Sequence, residues 1–330
     1  MKDPLVSIIM PAYNAGKTIS RAINSVLNQD YHNIELIVVN DGSTDDTEAV
    51  CANYSDRRIT IITQNNRGAS EARNIGLSYA NGILLTFVDS DDWVDNNYIS
   101  LLVEGICKNN ASLSICGMIR EYSTYKQYLS FKDSSSYYNC YNNDGFLSLF
   151  EGGLMNSCCN KLYKKDIIRN NHLFFLDKIV EDIEFNLKYL QYCEVVNTFK
   201  TCPYHYVEVE NSITCKVSEE MIQNYMDIHT VFLNNLLDKH KNYANRFVYH
   251  QYMSIFMRYL SKVVTGELTK KQVYPLLKKY LNEPLIQQSF DSHMSTDYKE
   301  ILVISCLKLK LFDVIVFYIR YKQKNTESKW

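Results

Sequence analysis

Four short apolar runs, each followed by a stretch of helical spacing, constrain this chain more than any other feature. VSIIMPAY (residues 6–13), IELIVVN (34–40), ITIIT (59–63) and ILLTFV (83–88) are rich in β-branched residues and nearly unbroken. That is the pattern of parallel strands covered on both faces. Between them, TISRAINSVLNQ, DDTEAVCANYS and ASEARNIGLSYA carry apolar residues at helical spacing. Strand and helix in alternation lead to a doubly wound, mostly parallel α/β sheet with short, right-handed crossovers. A further helix is expected at about 95–108 and a strand at 112–116.

Beyond this point the texture changes. Residues 120–143 are rich in Tyr and Ser with little periodicity, and read as a loop or irregular hairpin over the active face. From about 217 onward nearly everything reads as helix. The expected organisation is a catalytic body over 1–216 and a helical region over 217–330.

Charge and cysteine content narrow the function classes. Thirty-five basic residues against 37 acidic give a net charge of −2, which provides no global field to attract nucleic acid. The ten cysteines show no C-x-x-C spacing, and the N-terminus leads straight into a strand pattern rather than a signal peptide. Free thiols in a reducing cytoplasm are the expected state. No run reaches the roughly 18 apolar residues of a membrane span. The nearest, ILVISCLKLKLFDVIVFYIRYKQK, is interrupted by Lys308, Lys310 and Asp313, and its basic, apolar-rich composition over 300–323 suits contact with a membrane surface.

In open α/β sheets ligands bind beyond the carboxyl ends of the strands, and every candidate motif falls there. Pro11, Ala12, Tyr13 and Asn14 follow the first strand, and Asp41, Gly42 and Ser43 the second. Asn65, Asn66 and Arg67 follow the third, and Asp89, Ser90 and Asp91 the fourth. Asp41 sits where a carboxylate can accept from a base N–H or a ribose hydroxyl, although Asp-Gly is also an ordinary turn former. Arg73, at a helix start where cations are usually disfavoured, suits an anion. Asp89, Asp91 and Asp92 either supply charge to a helix start or hold a divalent cation. An EF-hand loop is excluded because Trp93 and Val94 stand where a ligand and a glycine are needed. Sparse oxygen ligation by one or two carboxylates fits Mg²⁺ or Mn²⁺.

VSIIMPAYNAGKTISRAINSVLNQ, IELIVVNDGSTDDT, NRGASEARNIGL and FVDSDDW, in this order over residues 4–100, resemble the signatures of the family 2 glycosyltransferases with a GT-A fold. The resemblance implies inverting transfer of a sugar from a nucleotide diphosphate, usually a UDP-sugar, with Mn²⁺ or Mg²⁺ on the diphosphate. It implies a donor site formed by Pro11, Ala12, Tyr13, Asp41, Asn66, Arg73, Asp89 and Ser90. Asp91 would ligate the metal, with Asp89 facing ribose and metal.

Inversion needs a base on the far side of the anomeric carbon. In KIVEDIEFNLKYL (178–190), Glu181, Asp182 and Glu184 precede an amphipathic helix, and the bland reading is favourable charge at its N-terminus. The resemblance makes E-D-x-x-F the base motif, with Asp182 as base and Glu181 as a donor-site neighbour. NKLYKKDII (160–168) is similar to the bacterial polysaccharide-synthesising branch, whose acceptors include lipid-linked saccharides at the inner face of the cell membrane, and offers Lys161 to phosphate or acceptor. YHYVEVENSIT (204–214) departs from the family: Val207 stands near an expected pyrophosphate-binding arginine, leaving His205 or Lys216 as substitutes.

Two other classes compete. A nucleotidyltransferase would need a glycine-rich loop with a basic residue after the first strand, where MPAYNAGKT offers one glycine; an idle assembly subunit would have no reason to keep its acids. A dehydrogenase is excluded because G-x-G-x-x-G is absent. For the helical region, acceptor handling, homo-oligomerisation and membrane contact all stay open. Its Tyr252, Phe256 and Tyr259 form a helical stripe that reads as core.

Overall fold

A computed structural model describes residues 3–139, 145–177, 181–208, 224, 227, 271, 274, 275, 278, 279, 305, 306, 309 and 311–327. The chain divides into two compact units, Met1–Glu210 and Asn211–Trp330.

The first unit begins β1 (Val6–Ala12), α1 (Ile19–Leu27), β2 (Ile34–Asp41), α2 (Thr47–Ala52), β3 (Ile59–Gln64), α3 (Ala69–Tyr79) and β4 (Leu84–Phe87). It continues with β5 (Trp93–Val94), α4 (Tyr98–Cys107), β6 (Leu113–Ile115), β7 (Met118–Glu121), β8 (Lys126–Leu129) and β9 (Ser135–Tyr138). Then come α5 (Gly145–Phe150), β10 (Lys161–Lys164), α6 (Lys165–Asn170), α7 (Glu181–Leu190), β11 (Val195–Thr198) and β12 (Tyr204–Val207).

An eight-stranded sheet runs in the order β3-β2-β1-β4-β10-β6-β11-β9. Its first four strands are parallel, as the apolar runs require, and β1 is buried along its whole length between β2 and β4. Helix α3 covers β1 and β2, and Gly76 permits its close approach: a Cβ there would lie 2.3 Å from Ile9 Cγ2. Strand β10 enters antiparallel between β4 and β6, and β9 closes the far edge antiparallel to β11. The architecture is therefore α/β with a mostly parallel sheet.

Part of the segment 120–143, expected as loop or irregular hairpin, is regular. β7 and β8 pair antiparallel in a second sheet, ordered β5-β12-β7-β8, and β9 joins the large sheet. Tyr and Ser are strand-compatible when half-exposed, and these short strands carry too few residues to display a period.

In the second unit, α8 (Phe312–Glu327) buries Phe312, Ile315, Val316 and Ile319, one face at helical spacing, while Val314, Phe317 and Tyr321 are exposed. Most of the expected helical region, including Lys216, Tyr252, Phe256 and Tyr259, lies outside the described residues. Among the described residues no helix is long and apolar enough to cross a membrane.

Candidate functional site

The parallel strands deliver their C-terminal ends to one edge. β1 ends at Ala12, so the chain turns outward with Tyr13, 51% exposed, beyond the buried Pro11 and Ala12. β2 ends at Asp41, followed by Gly42 in the left-handed region at φ +69°, where a Cβ would lie 2.7 Å from the Asn66 nitrogen. Only glycine accepts both conditions cheaply.

Asp41 is buried and organises the neighbouring loop: Oδ1 accepts from Gln64 Nε2 at 2.7 Å and from the Arg67 amide at 2.9 Å, and Oδ2 accepts from the Gly68 amide at 2.8 Å. Its lone pairs thus fix the Asn66–Gly68 turn at the site edge. Asn66 itself is exposed.

Arg73 supplies the centre. It is 5% exposed, and its guanidinium donates through Nη2 to Asp89 Oδ1 at 2.9 Å and through Nη1 to Glu181 Oε1 at 2.8 Å. Asp182 Oδ1 lies 3.5 Å from the same Nη1. The strand-end acid and the acids at the start of α7 therefore meet around one cation. One guanidinium against three carboxylates leaves excess negative charge in a poorly solvated place. Glu181 is pushed up to about 7, first by burial and then by the Asp182 charge, against the opposing pull of Arg73.

Aromatic packing holds α7 in position. Phe185 stacks on Phe175 at 4.1 Å between centroids, and both meet Phe87 edge-on, beside the acids of its strand. Arg73 lies over the Phe175 ring at 5.5 Å. The phenylalanine of E-D-x-x-F is thus the anchor that seats the two acids before it.

The two oxygens of Asp182 differ. Oδ2 accepts from the Cys158 amide at 3.0 Å, which fixes the carboxylate plane. Oδ1 is buried and has no hydrogen-bond donor among the described residues.

Asp91 is pushed up to about 6 by burial and by the Asp89 charge. Among the described residues no three acids, histidines or cysteines gather into a ready-made metal cage. Two adjacent carboxylates, one of them raised because its negative charge is poorly compensated, nevertheless fit a hard divalent cation whose remaining ligands come from water and substrate. Ser90 is buried between them.

Three residues take roles that differ from the sequence reading. Lys161 does not reach the site: it is 0% exposed and its ammonium donates to Leu154 O, Ser157 O and Asn160 Oδ1, bracing the segment that carries Cys158. Burial lowers it to about 8. His205 is no free substitute for an arginine: its ring stacks on Trp93 at 3.4 Å, with Nδ1 2.9 Å from Glu121 Oε1 and Nε2 3.2 Å from Asp95 Oδ1. Arg73 is committed to protein acids through both Nη nitrogens.

Asp92 carries a role that the sequence did not disclose. It is buried, and accepts from the Tyr204 hydroxyl at 2.6 Å and from the Val207 amide at 2.8 Å. It ties the second sheet to the strand end bearing Asp89 and Asp91. A short acid at the end of a run of three gives no sequence signal of facing inward.

Comparison with known proteins follows the same lines. The description "Glycosyl transferase family 2" matches residues 7–171. Glycosyltransferase GlyG of Streptococcus pneumoniae is 27% identical over 327 residues, covering 93% of this chain and 96% of GlyG. UDP-Glc:alpha-D-GlcNAc-diphosphoundecaprenol beta-1,3-glucosyltransferase WfgD of Escherichia coli is 47% identical over 114 residues, which is 34% of this chain and 45% of WfgD. The chain thus matches less than half of WfgD's length. The crystal structure of S. aureus TarS 1–349 in complex with UDP-GlcNAc superposes with a TM-score of 0.70 at 18% identity, covering 97% of this chain and 92% of that one.

Proposed function

The chain belongs to glycosyl transferase family 2 and is a glycosyltransferase, and from that premise we propose that it transfers a sugar with inversion from a UDP-sugar to a saccharide acceptor during assembly of a bacterial surface polysaccharide. The observation that carries the reading is Asp182 Oδ1, which accepts no hydrogen bond among the described residues and lies 3.5 Å from the arginine that also holds the strand-end acid Asp89.

An acceptor hydroxyl attacks the anomeric carbon from the side opposite the diphosphate, and its proton must leave as the bond forms. Asp182 Oδ1 takes that proton, while the Cys158 amide on Oδ2 keeps the carboxylate oriented. Asp89 and Asp91 hold the metal, Mn²⁺ or Mg²⁺, which when bound supplies Lewis-acid neutralisation of charge on the leaving diphosphate. Tyr13 offers an exposed ring for the base, next to Pro11 and Ala12. Asp41 acts by shaping the Asn66 turn, and Arg73 by setting Asp89, Ser90 and Glu181 around the donor.

WfgD's name states a lipid-diphosphate-linked acceptor. A similar acceptor suits this chain, with catalysis in 1–216 and residues 300–323 contacting the inner face of the cell membrane. The test is a panel of UDP-sugars with and without Mn²⁺, scored for UDP release in wild type and Asp182→Asn. Metal-dependent release that is strongly reduced in the variant supports the reading. Equal release in both removes Asp182 from the role of base, and no release from any donor overturns the reading.

A further inference from the structure

The outer face of the second sheet carries a set of side chains that the chemistry above does not use. Register places Trp93 opposite His205, His205 opposite Ile119 and Ile119 opposite Tyr128, in one row across four strands. Laterally paired residues share a face, and the next row on that face holds Glu121 and Lys126. Alternation sends Val94, Tyr204 and Met118 to the inner face, where they are buried.

Trp93 is only half-buried, yet it is immobilised on one side. His205 stacks on one face of the indole, Nε1 donates to Glu121 Oε2 at 3.4 Å, and Glu121 Oε1 is itself held by Lys126 and His205. Asp95 meets His205 through Oδ1 but remains 45% exposed, so its other oxygen faces water. Tyr128, at the end of the row, is 66% exposed.

We propose that the edge of this sheet at β5 is a saccharide subsite for the acceptor, with the indole face of Trp93 turned away from His205 as stacking platform and the Asp95 carboxylate as acceptor for sugar hydroxyls. The proposal rests on the glycosyltransferase reading and names where the acceptor lies. A pyranose presents an apolar C–H face and an equatorial ring of hydroxyls. A fixed aromatic ring flanked by carboxylates matches both, at little cost in side-chain entropy. Proximity agrees: Trp93 follows Asp91 by two positions, a backbone span of at most about 7 Å, which sets the platform beside the strand end that carries Asp89 and Asp91.

The chain contains two tryptophans, Trp93 and Trp330, so Trp330→Phe leaves the indole of the platform as the sole reporter. In that background, cellobiose, lactose and N,N′-diacetylchitobiose are titrated while emission is followed. The expected result is saturable quenching or a blue shift with at least one of them, weakened about tenfold by Asp95→Asn. UDP binding, measured by calorimetry on the same samples, separates the two readings. Wild type that binds no UDP with Mn²⁺ present sinks the donor assignment and not the platform. UDP binding intact with Trp93 silent to all three sugars overturns the subsite alone. So does quenching that survives Asp95→Asn, or emission that follows protein concentration instead of sugar, which would mark the face as a contact between copies of this chain.

Discussion

Arg73 and Glu181, 108 residues apart in the chain, are joined by a bond of 2.8 Å. The same guanidinium holds Asp89 at 2.9 Å, so one buried cation links the strand-end acids to the start of α7. Removing it leaves three carboxylates facing one another. Arg73→Met is expected to lower unfolding free energy by about 3–5 kcal/mol, measured by urea titration. Arg73→Lys should recover part of the loss, since an ammonium replaces the charge but not the two-pronged geometry.

Asp182→Asn keeps an oxygen for the Cys158 amide and removes the basic one. Turnover is expected to fall by about 10²–10⁴-fold with UDP binding retained, read by UDP release at saturating donor alongside calorimetry. A parallel loss of UDP affinity would mean that Asp182 shapes the donor site instead.

Chelation tests the sparse carboxylate pair. EDTA should abolish UDP release, and added Mn²⁺ should restore it. Asp91→Asn should shift the Mn²⁺ concentration for half-maximal rate upward by about tenfold or more, consistent with the loss of one charged oxygen ligand. Metal-independent turnover in wild type would remove both acids from that role.

The raised Glu181 predicts a pH dependence of stability. The unfolded carboxyl ionises near its ordinary value of 4.5 and the folded one near 7, so between these values the folded chain binds more protons. Stability without ligand therefore falls as pH rises through that window. Glu181→Gln should flatten this segment of the profile, measured by urea midpoints at half-unit pH steps.

Packing of α3 on β1 can be tested without touching the site. Gly76→Ala forces a methyl to 2.3 Å from Ile9 Cγ2, and a loss of about 1–3 kcal/mol is expected. In an Ile9→Ala background, which lacks Cγ2, the same substitution should cost less.

The sequence disclosed the parallel half of the sheet because β1, β2 and β4 are buried almost throughout and so read as unbroken apolar runs, whereas β3, at the edge and partly exposed, was legible by its β-branched residues. Asp89, Asp91 and Asp182 could be singled out because strand ends and a helix start announce where such acids sit. What it withheld depends on long-range contact. Nothing local shows that the ammonium of Lys161 turns inward onto three oxygens, that Asp92 faces Tyr204 while its neighbours face the site, or that Arg73 spends its fork on protein acids. His205 looked available because its partners, Asp95 and Glu121, lie 110 and 84 residues away. β7, β8 and β9 are four residues each and their exposure does not alternate along the strand, so no period could emerge.

The antiparallel entry of β10 has a consequence in time. β6, at residues 113–115, bonds only to β10 and β11, whereas β1 to β4 bond among themselves within the first 87 residues. During synthesis the N-terminal quartet can zip up as it leaves the ribosome, while β6 must wait some 50 residues for its first partner. The half proposed to bind the nucleotide would then be born before the half with the proposed proton acceptor, and a chain stalled near residue 160 would hold the four parallel strands without Asp182.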